Sequence, residues 1–179
     1  NMAPHSMTLT MVGAAMLWVG WFGFNAGSNL EATANATLAM MNTFIATAAA
    51  IVSWSIVEGL IRGKASGLGA ASGMVAGLVA VTPACGTSGP IGALFLGLAV
   101  SPICYFFVST VKSKFGYDDS LDVFGVHGIG GIVGAIGTGI LVAPSLGGTG
   151  GEDFVMASQV WIQIKAVLLT IVWSGIGSF

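Results

Sequence analysis

The stretch DVFGVHGIGGIVGAIGTGI, residues 122–140, places one histidine inside a long apolar run. A bilayer-spanning helix needs about 20 mostly apolar residues, and this segment has that length and composition. An ionisable side chain within a membrane helix is a functional hypothesis by default, because burying it in lipid is unfavourable. The segment therefore predicts a transmembrane helix in which His127 carries a function.

The composition of the whole chain indicates that it lies in a lipid bilayer. Of its 179 residues, 55% are hydrophobic and only 7% are charged, whereas a soluble domain carries about 25% charged residues. The 28 glycines lack a period of three and fit closely packed transmembrane helices. The net charge of −2 excludes the basic surface that nucleic-acid binding requires. The sequence therefore predicts an all-α polytopic membrane protein.

Six apolar stretches are long enough to cross a bilayer. We predict them at residues 7–28, 36–60, 66–83, 91–111, 122–143 and 154–179. Because no linker or internal repeat divides the chain, residues 1–179 are interpreted as one membrane domain or part of one. The chain starts with Asn1 and ends inside an apolar run, so we expect it to belong to a longer protein.

Basic residues in the predicted connections indicate the orientation in the membrane. They occur in two connections that are separated by two spans: Arg62, Lys64, Lys112 and Lys114. These connections lie on the same side, and the positive-inside rule makes it the cytoplasmic side. The chain then starts in the cytoplasm. Lys165 lies within the last span, where we expect its long side chain to snorkel to the interface.

His127 follows a good helix start, because the acids of DDSLD can cap a helix. A helix that begins near Ser120 would place His127 about 10 Å deep, at about 1.5 Å per residue. The residues at intervals of three and four on its face are Ser120, Phe124, Gly131, Gly134 and Thr138. The alternative is a histidine that hydrogen-bonds a neighbouring helix and only packs. Asp122 either attracts cations or tunes the imidazole, or else it caps the helix.

The first span carries a second candidate site in WVGWFGFNAGS, residues 18–28. Trp21, Phe24 and Ser28 follow Leu17 at intervals of four, three and four, so the four residues share a helix face. Two aromatic rings and a hydroxyl group could receive a cation. The alternative is an aromatic belt at the membrane interface, which composition alone favours.

Other polar residues are interpreted as structural. Glu58 would form a solvated pair with Arg62, four residues further on. Cys85 and Cys104 lie in separate segments without metal-ligand spacing and are interpreted as small apolar fillers. The chain has no hydrolase elbow, phosphate-binding glycine loop or paired cysteine motif. We therefore expect no enzymatic activity, no metal and no cofactor.

Four stretches are distinctive when taken together: GWFGFNAGS (20–28), NTFIATAAAIVSW (42–54), LIRGKASGLGAASGMVAGLVAVTPACG (60–86) and DVFGVHGIGGIVGAIGTGI (122–140). They resemble the ammonium transporter (Amt/Mep/Rh) family, in order and over essentially the whole chain. The resemblance implies an eleven-helix fold with two inverted five-helix halves. This chain resembles helices six to eleven, so the N-terminal five helices and the cytoplasmic tail are expected to be absent.

The resemblance implies a pore with three functional residues from this chain. His127 would be the second of two pore histidines, Phe24 one of two external gate rings, and Ser28 the hydroxyl of the external ammonium site. Ammonium would be recruited outside and deprotonated in the pore. His127 would hydrogen-bond ammonia and relay the proton, because an imidazole nitrogen can donate or accept.

The resemblance also implies pore-lining residues, partners and a location. The residues that would line the pore or its cytoplasmic mouth are Trp21, Phe124, Val123 and, at the mouth, Asp122. The protein would be a homotrimer in the plasma membrane (the bacterial inner membrane), and a P-II signalling protein could dock at its cytoplasmic face. An Rh-like passive gas channel, an ammonium sensor and an inactive structural fragment remain as alternatives.

Overall fold

The structure is a computed structural model that describes residues 4–178. Within that range the chain is helical, with turns between the helices and no strand. The six longer helices are α1 (Met7–Gly27), α2 (Ala34–Arg62), α3 (Gly67–Val81), α4 (Pro90–Phe115), α5 (Phe124–Leu141) and α6 (Met156–Gly177). A short 3-10 turn, Pro144–Leu146, follows α5. The all-α membrane architecture that the sequence predicts is confirmed.

Five of these helices are long and apolar enough to cross a membrane, among the residues described. The third predicted span, residues 66–83, forms α3, which has only 15 residues. At about 1.5 Å per residue, α3 covers about 22 Å, less than the roughly 30 Å of a hydrocarbon core. Ten of its 15 residues are buried, because it packs against α1, α2, α4 and α5. The third predicted span is therefore present as a short helix enclosed by its neighbours.

Local sequence signals determine where several helices begin and end. Ser6 and Ser66 cap α1 and α3, and their hydroxyl groups accept from the N–H three residues on at 3.3 and 2.9 Å. Gly63 ends α2 at φ = 79°, a left-handed conformation that favours glycine. α2 therefore extends two residues beyond its predicted end, and Arg62 belongs to its last turn.

Small residues allow helices α2 to α5 to approach one another closely. A Cβ added at Gly77 would lie 2.8 Å from a Cα of α2, and one added at Gly97 would lie 2.9 Å from Ala46 Cα. α2 is thus held between α3 and α4. The same contact recurs between α5 and α3, where a Cβ at Gly134 would lie 2.8 Å from Ala80 Cα. Close backbone packing of this kind is what associates helices inside a bilayer.

The connections gather at two opposite ends of the bundle. At one end the Thr149 N–H donates to the Thr87 carbonyl at 2.9 Å, which joins the α3–α4 connection to the α5–α6 connection. At the other end the Arg62 guanidinium lies 5.7 Å above the Tyr105 ring of α4, and Lys112 reaches the α4–α5 connection. The basic residues of the two predicted cytoplasmic connections therefore share one end, as the spacing of the spans predicts.

Glu58 is buried rather than solvated, with only 3% of its surface exposed. Its carboxylate accepts hydrogen bonds from the N–H and the hydroxyl of Ser66, both at 2.9 Å, and lies 3.6 Å from Arg62. Any Cβ at Gly69 would overlap this carboxylate, so glycine makes room for it. The predicted pair with Arg62 is therefore confirmed, but the prediction that it is solvated is wrong, because Glu58 is buried where it ties the end of α2 to the start of α3.

The two cysteines behave as the sequence predicts. Both are buried and neither forms a disulfide. Cys85 lies in the α3–α4 connection, where burial raises the pKa of its thiol. A thiol with a raised pKa is a poor nucleophile at neutral pH, which agrees with a packing role.

Large apolar side chains cover much of the outer surface. On α6, Leu169 is 69% exposed and Trp173 is 78% exposed. α6 packs on α5, where a Cβ at Gly139 would lie 2.9 Å from Val160 Cα. A soluble protein rarely exposes apolar surface on this scale, which agrees with a membrane protein.

Candidate functional site

Two helices bring three of the predicted site residues into one row. Phe24 and Trp21 lie about one turn apart on α1, with their ring centroids 5.8 Å apart in an edge arrangement. The Trp21 ring in turn lies 6.4 Å from the imidazole of His127 on α5. Phe24 and His127 are exposed on this chain, and Trp21 is half-buried between them. The candidate sites of the first and fifth spans are therefore one surface, which we name the ring row (Phe24, Trp21 and His127).

A hydrogen bond to the end of α3 sets the orientation of Trp21. Its Nε1–H donates to Thr82 Oγ1 at 2.8 Å, and the Thr82 hydroxyl donates to the Leu78 carbonyl at 2.7 Å. An indole that bonds a neighbouring helix does not fit the interpretation of an interfacial belt. Sequence patterns do not identify Thr82, because it is 61 positions from Trp21 and no local signal pairs the two residues.

Ser28 directly follows α1, one turn beyond Phe24, and is exposed. Its hydroxyl donates to the Phe24 carbonyl, so the lone pairs of its oxygen stay available as acceptors. Asn25 is buried and donates to Thr43 Oγ1 at 2.9 Å, which removes it from the exposed surface. The predicted outer end of the ring row therefore carries one accessible hydroxyl group.

His127 lies in a π-helical turn, Phe124–Gly128, at the start of α5. The N–H of Ile129 donates to the Phe124 carbonyl, five residues earlier. Because α5 begins at Phe124 and not near Ser120, His127 belongs to its first turn, about 4.5 Å from the helix start at about 1.5 Å per residue. The predicted depth of about 10 Å along the helix is therefore wrong.

The π-helical turn also changes which residues share a face with His127. Helical spacing places Gly134 and Thr138 on that face, but both are buried while His127 is exposed. A π-helical turn contains one extra residue, and each residue of an α-helix corresponds to about 100° of rotation. The predicted face is therefore wrong beyond the π-helical turn.

The start of α5 is capped by Asp119 and not by Asp122. The Asp119 carboxylate accepts from the N–H groups of Phe124 and Gly125 at 3.1 and 3.0 Å. The Asp122 carboxylate instead pairs with Lys112, whose Nζ lies 2.7 Å from Oδ1. The capping interpretation of Asp122 is therefore wrong, because its side chain reaches across to α4.

Phe124 and Val123, two predicted pore-lining residues, lie between this ion pair and His127 along the chain. They are 48% and 55% exposed. The Phe124 ring packs edge-on against Tyr117, with centroids 5.6 Å apart. An exposed apolar surface thus continues from the ring row toward the predicted cytoplasmic end.

Asp119→Ala is expected to lower the stability of the full-length protein by about 1–2 kcal/mol, because two N–H groups at the start of α5 lose their acceptor. Thermal unfolding of the purified protein in detergent measures this as a lower melting temperature. Asp118→Ala is the matched control, because Asp118 is exposed and accepts from the Ser120 hydroxyl. Equal melting temperatures for the two variants would contradict the capping role.

The chemistry of the ring row follows from its groups. Among residues 4–178, no three His, Cys, Asp or Glu side chains cluster so that they could hold a metal ion. The row and its outer end offer aromatic rings, a hydroxyl group and an imidazole. Aromatic faces attract cations, a hydroxyl oxygen accepts an N–H, and an imidazole exchanges protons near neutral pH. Such a set can bind a small N–H cation at one end and accept a proton further along.

The chain matches the sequence model of the Ammonium Transporter Family over residues 1–179. It is 50% identical to the ammonium transporter of Aquifex aeolicus over 176 residues, which are 98% of this chain and 42% of that protein. It is 44% identical to the ammonium transporter of Bacillus subtilis over 179 residues, 99% of this chain and 44% of that protein. The chain thus spans less than half the length of these relatives, which are named as transporters and not as enzymes.

The fold agrees with a solved structure. The crystal structure of Saccharomyces cerevisiae Mep2 superposes with a TM-score of 0.86 at 33% sequence identity. The superposition covers 95% of this chain and 42% of the Mep2 chain. Sequence, helix arrangement and this superposition lead to the same result: the chain is a multi-pass membrane protein that belongs to the ammonium transporter family.

Proposed function

We propose that this chain takes part in the transmembrane transport of ammonium through a hydrophobic pore lined by His127. The observation that carries the proposal is the ring row, whose members follow one another at 5.8 and 6.4 Å. The row begins near the Ser28 hydroxyl and ends at an exposed imidazole. This order suits a path from a cation-binding end to a proton-accepting group. The family of the chain and the names of its relatives support ammonium as the substrate.

The proposed path separates cation binding from deprotonation. Phe24 and Ser28 stabilise ammonium at the outer end, through a ring face and a hydroxyl oxygen. Beyond them the wall is apolar, and a charge near the bilayer centre costs several kcal/mol or more. Ammonium therefore gives up a proton by cleavage of one N–H bond, and ammonia continues. His127 hydrogen-bonds the ammonia and relays the proton, because its imidazole can both donate and accept.

The inner part of the path uses the remaining predicted residues. Phe124 and Val123 would line the pore beyond His127, where both are exposed on this chain. Asp122 would stand at the cytoplasmic mouth, with its charge balanced by Lys112 at 2.7 Å. Ammonia would leave past these residues and regain a proton in water.

We infer that residues 1–179 form the C-terminal half of the transporter domain, as the resemblance to helices six to eleven suggests. The aligned 42% and 44% of the two relatives agree with a chain of about half the length of the domain. The opposite pore wall, with a second histidine, would then come from the other half. The proposal includes a homotrimer in the plasma membrane and a P-II signalling protein that docks at the basic end of the bundle.

Ammonium-driven current in proteoliposomes that contain the full-length protein tests the proposed function. A step of ammonium chloride is expected to produce a current, and a step of sodium chloride at the same ionic strength is expected to produce none. Ammonia flux without current would instead support the Rh-like gas channel. Ammonium binding without flux would support a sensor, which the relatives named as transporters do not favour.

Ser28→Ala is expected to raise the ammonium concentration for half-maximal current about tenfold while the maximal current is unchanged. A hydrogen bond to a charged group contributes about 1.5–3 kcal/mol, and each 1.4 kcal/mol corresponds to roughly tenfold in affinity. Ser145→Ala is the matched control, because Ser145 is an exposed hydroxyl residue in the turn Pro144–Leu146 at the same end. If both variants raise the ammonium concentration for half-maximal current by a similar factor, Ser28 does not belong to the proposed binding site.

A further inference from the structure

Two π-helical turns occur at the predicted cytoplasmic end, on neighbouring helices. The first, Phe107–Val111, lies within α4, and the N–H of Lys112 closes it by donating to the Phe107 carbonyl five residues earlier. The second, Phe124–Gly128, starts α5 and contains His127. Turns of this kind are rare and often occur at functional positions, because they hold side chains in directions that an α-helix does not offer.

The two π-helical turns pack directly on each other. A Cβ added at Gly125 would lie 2.6 Å from Val108 Cγ2, so glycine permits the contact. The rings of Phe107 and Phe124 meet edge-on, with centroids 6.5 Å apart. A change of register in one turn would therefore force a change in the other.

One ion pair joins the two turns from outside. Lys112 directly follows the first turn, and its Nζ lies 2.7 Å from the carboxylate of Asp122, two residues before the second. The same Nζ donates to the Asp119 carbonyl. The two charged side chains are 19% and 25% exposed, so solvent screens the pair less than it screens a surface pair.

The backbone of Asp122 indicates that the pair holds a specific geometry. Its φ of 56° is left-handed, a conformation that few residues other than glycine adopt and that Asp and Asn tolerate best. Such a conformation persists where surrounding contacts impose it. The ion pair with Lys112 and the hydrogen bond from the Val126 N–H to the Asp122 carbonyl at 2.8 Å supply such contacts.

We propose that Lys112 and Asp122 are positioning residues for His127. Their ion pair keeps the two π-helical turns in register and so directs the imidazole toward the ring row. Loss of the pair would let the second turn relax toward α-helical register, which rotates the side chains of one part of the helix against the other by about 100°. The inference rests on the proposed function, in which His127 acts on ammonium.

The test measures ammonium current and the nitrogen-15 imidazole signal of His127 in the full-length protein. The His127 signal is identified by its absence from the His127→Ala variant. Lys112→Met and Asp122→Asn are each expected to lower the current about tenfold. The double variant is expected to lower the current by the same factor as either single variant, because each substitution removes the same ion pair. Asparagine has the size of aspartate and also tolerates a positive φ, so the Asp122→Asn variant is expected to fold. Both variants are expected to shift the His127 signal.

Two matched variants separate positioning from general loss of charge. Lys112→Arg keeps the ion pair and is expected to retain the current. Lys114→Met removes an exposed lysine of the same helix end and is expected to leave both the current and the His127 signal unchanged. An effect of Lys114→Met equal to that of Lys112→Met would overturn the proposal.

The decisive comparison repeats Lys112→Met in the His127→Ala background. If Lys112 acts through His127, the additional loss of current there is expected to vanish. An equal fold-loss in both backgrounds, or an unshifted His127 signal in Lys112→Met, would overturn the positioning role. Where His127→Ala leaves no current to compare, the His127 signal decides alone. Unchanged current in the His127→Ala variant itself would overturn the proposed function and not the positioning role. In that case a shifted His127 signal in Lys112→Met would still support positioning.

Discussion

His127→Ala in the full-length protein is expected to lower ammonium-driven current by about 100-fold. The variant removes the imidazole that we propose hydrogen-bonds ammonia and relays its proton. Such an interaction contributes about 1.5–3 kcal/mol, and each 1.36 kcal/mol on a barrier changes a rate tenfold. The ring next to His127 in the row is Trp21, whose indole N–H only donates, so Trp21 does not replace the imidazole as a proton acceptor. Current in proteoliposomes across an ammonium gradient measures the loss.

His5→Ala is the matched control for this prediction. The chain has two histidines, and His5 is exposed before the start of α1. Its replacement is expected to leave the current unchanged. Monodisperse elution of both variants in detergent would show that the loss does not come from misfolding. Ammonium current and selectivity that persist in His127→Ala would refute a pore in which this histidine acts on the substrate.

Gly97→Ala is expected to destabilise the protein by about 3 kcal/mol, because the contact between α2 and α4 has no room for a methyl group. The added Cβ would lie 2.9 Å from Ala46 Cα and closer still to the Ala46 carbonyl oxygen. Both are backbone atoms in the middle of α2, so the helices must move apart. Ser53 and Ser101, whose hydroxyls donate across this contact at 2.8 and 2.7 Å, would lose their geometry. The melting temperature in detergent is expected to fall by about 5–10 °C.

Gly13→Ala is a control for which the expected change in stability does not have the sign expected for Gly97→Ala. Gly13 lies inside α1, and apart from the adjacent residues and backbone of α1 itself, no atom of the described residues is within 4 Å of a Cβ added there. Alanine favours a helix over glycine by about 1 kcal/mol, so stability is expected to stay equal or rise. A comparable fall in melting temperature for Gly13→Ala and Gly97→Ala would mean that the close α2–α4 contact is not the cause.

The spans and their ends were predictable because they depend on neighbours along the chain. Apolar runs near 20 residues, Ser66 before α3 and Gly63 after α2 act within one or two helical turns. The spacing of basic residues likewise predicted that Arg62 and Lys112 lie at one end of the bundle. Length did not predict that α3 would be a short buried helix, because its enclosure by four other helices is a property of packing.

The candidate site was predictable as residues but not as geometry. The sequence singled out Phe24, Trp21 and His127, and helical spacing already pairs the rings of Phe24 and Trp21 on α1. His127 lies about a hundred positions further along the chain, so only packing brings its ring within 6.4 Å of Trp21. Trp21 is oriented by the hydrogen bond that it donates to Thr82, a residue for which the sequence holds no signal.

The sequence by itself determined the solvent, the helical class and the family, and it supplied the candidate residues of the proposed pore. Each of these follows from composition, from short-range periodicity or from motifs that are continuous in the chain. The tertiary structure decided the roles of the charged residues and the direction of His127. Asp119 caps, Asp122 pairs with Lys112, and Glu58 is buried, because each carboxylate bonds whichever donors folding brings within reach. The π-helical turn departs from the regular spacing on which sequence patterns rely, so the face that His127 presents depends on its contact with α4.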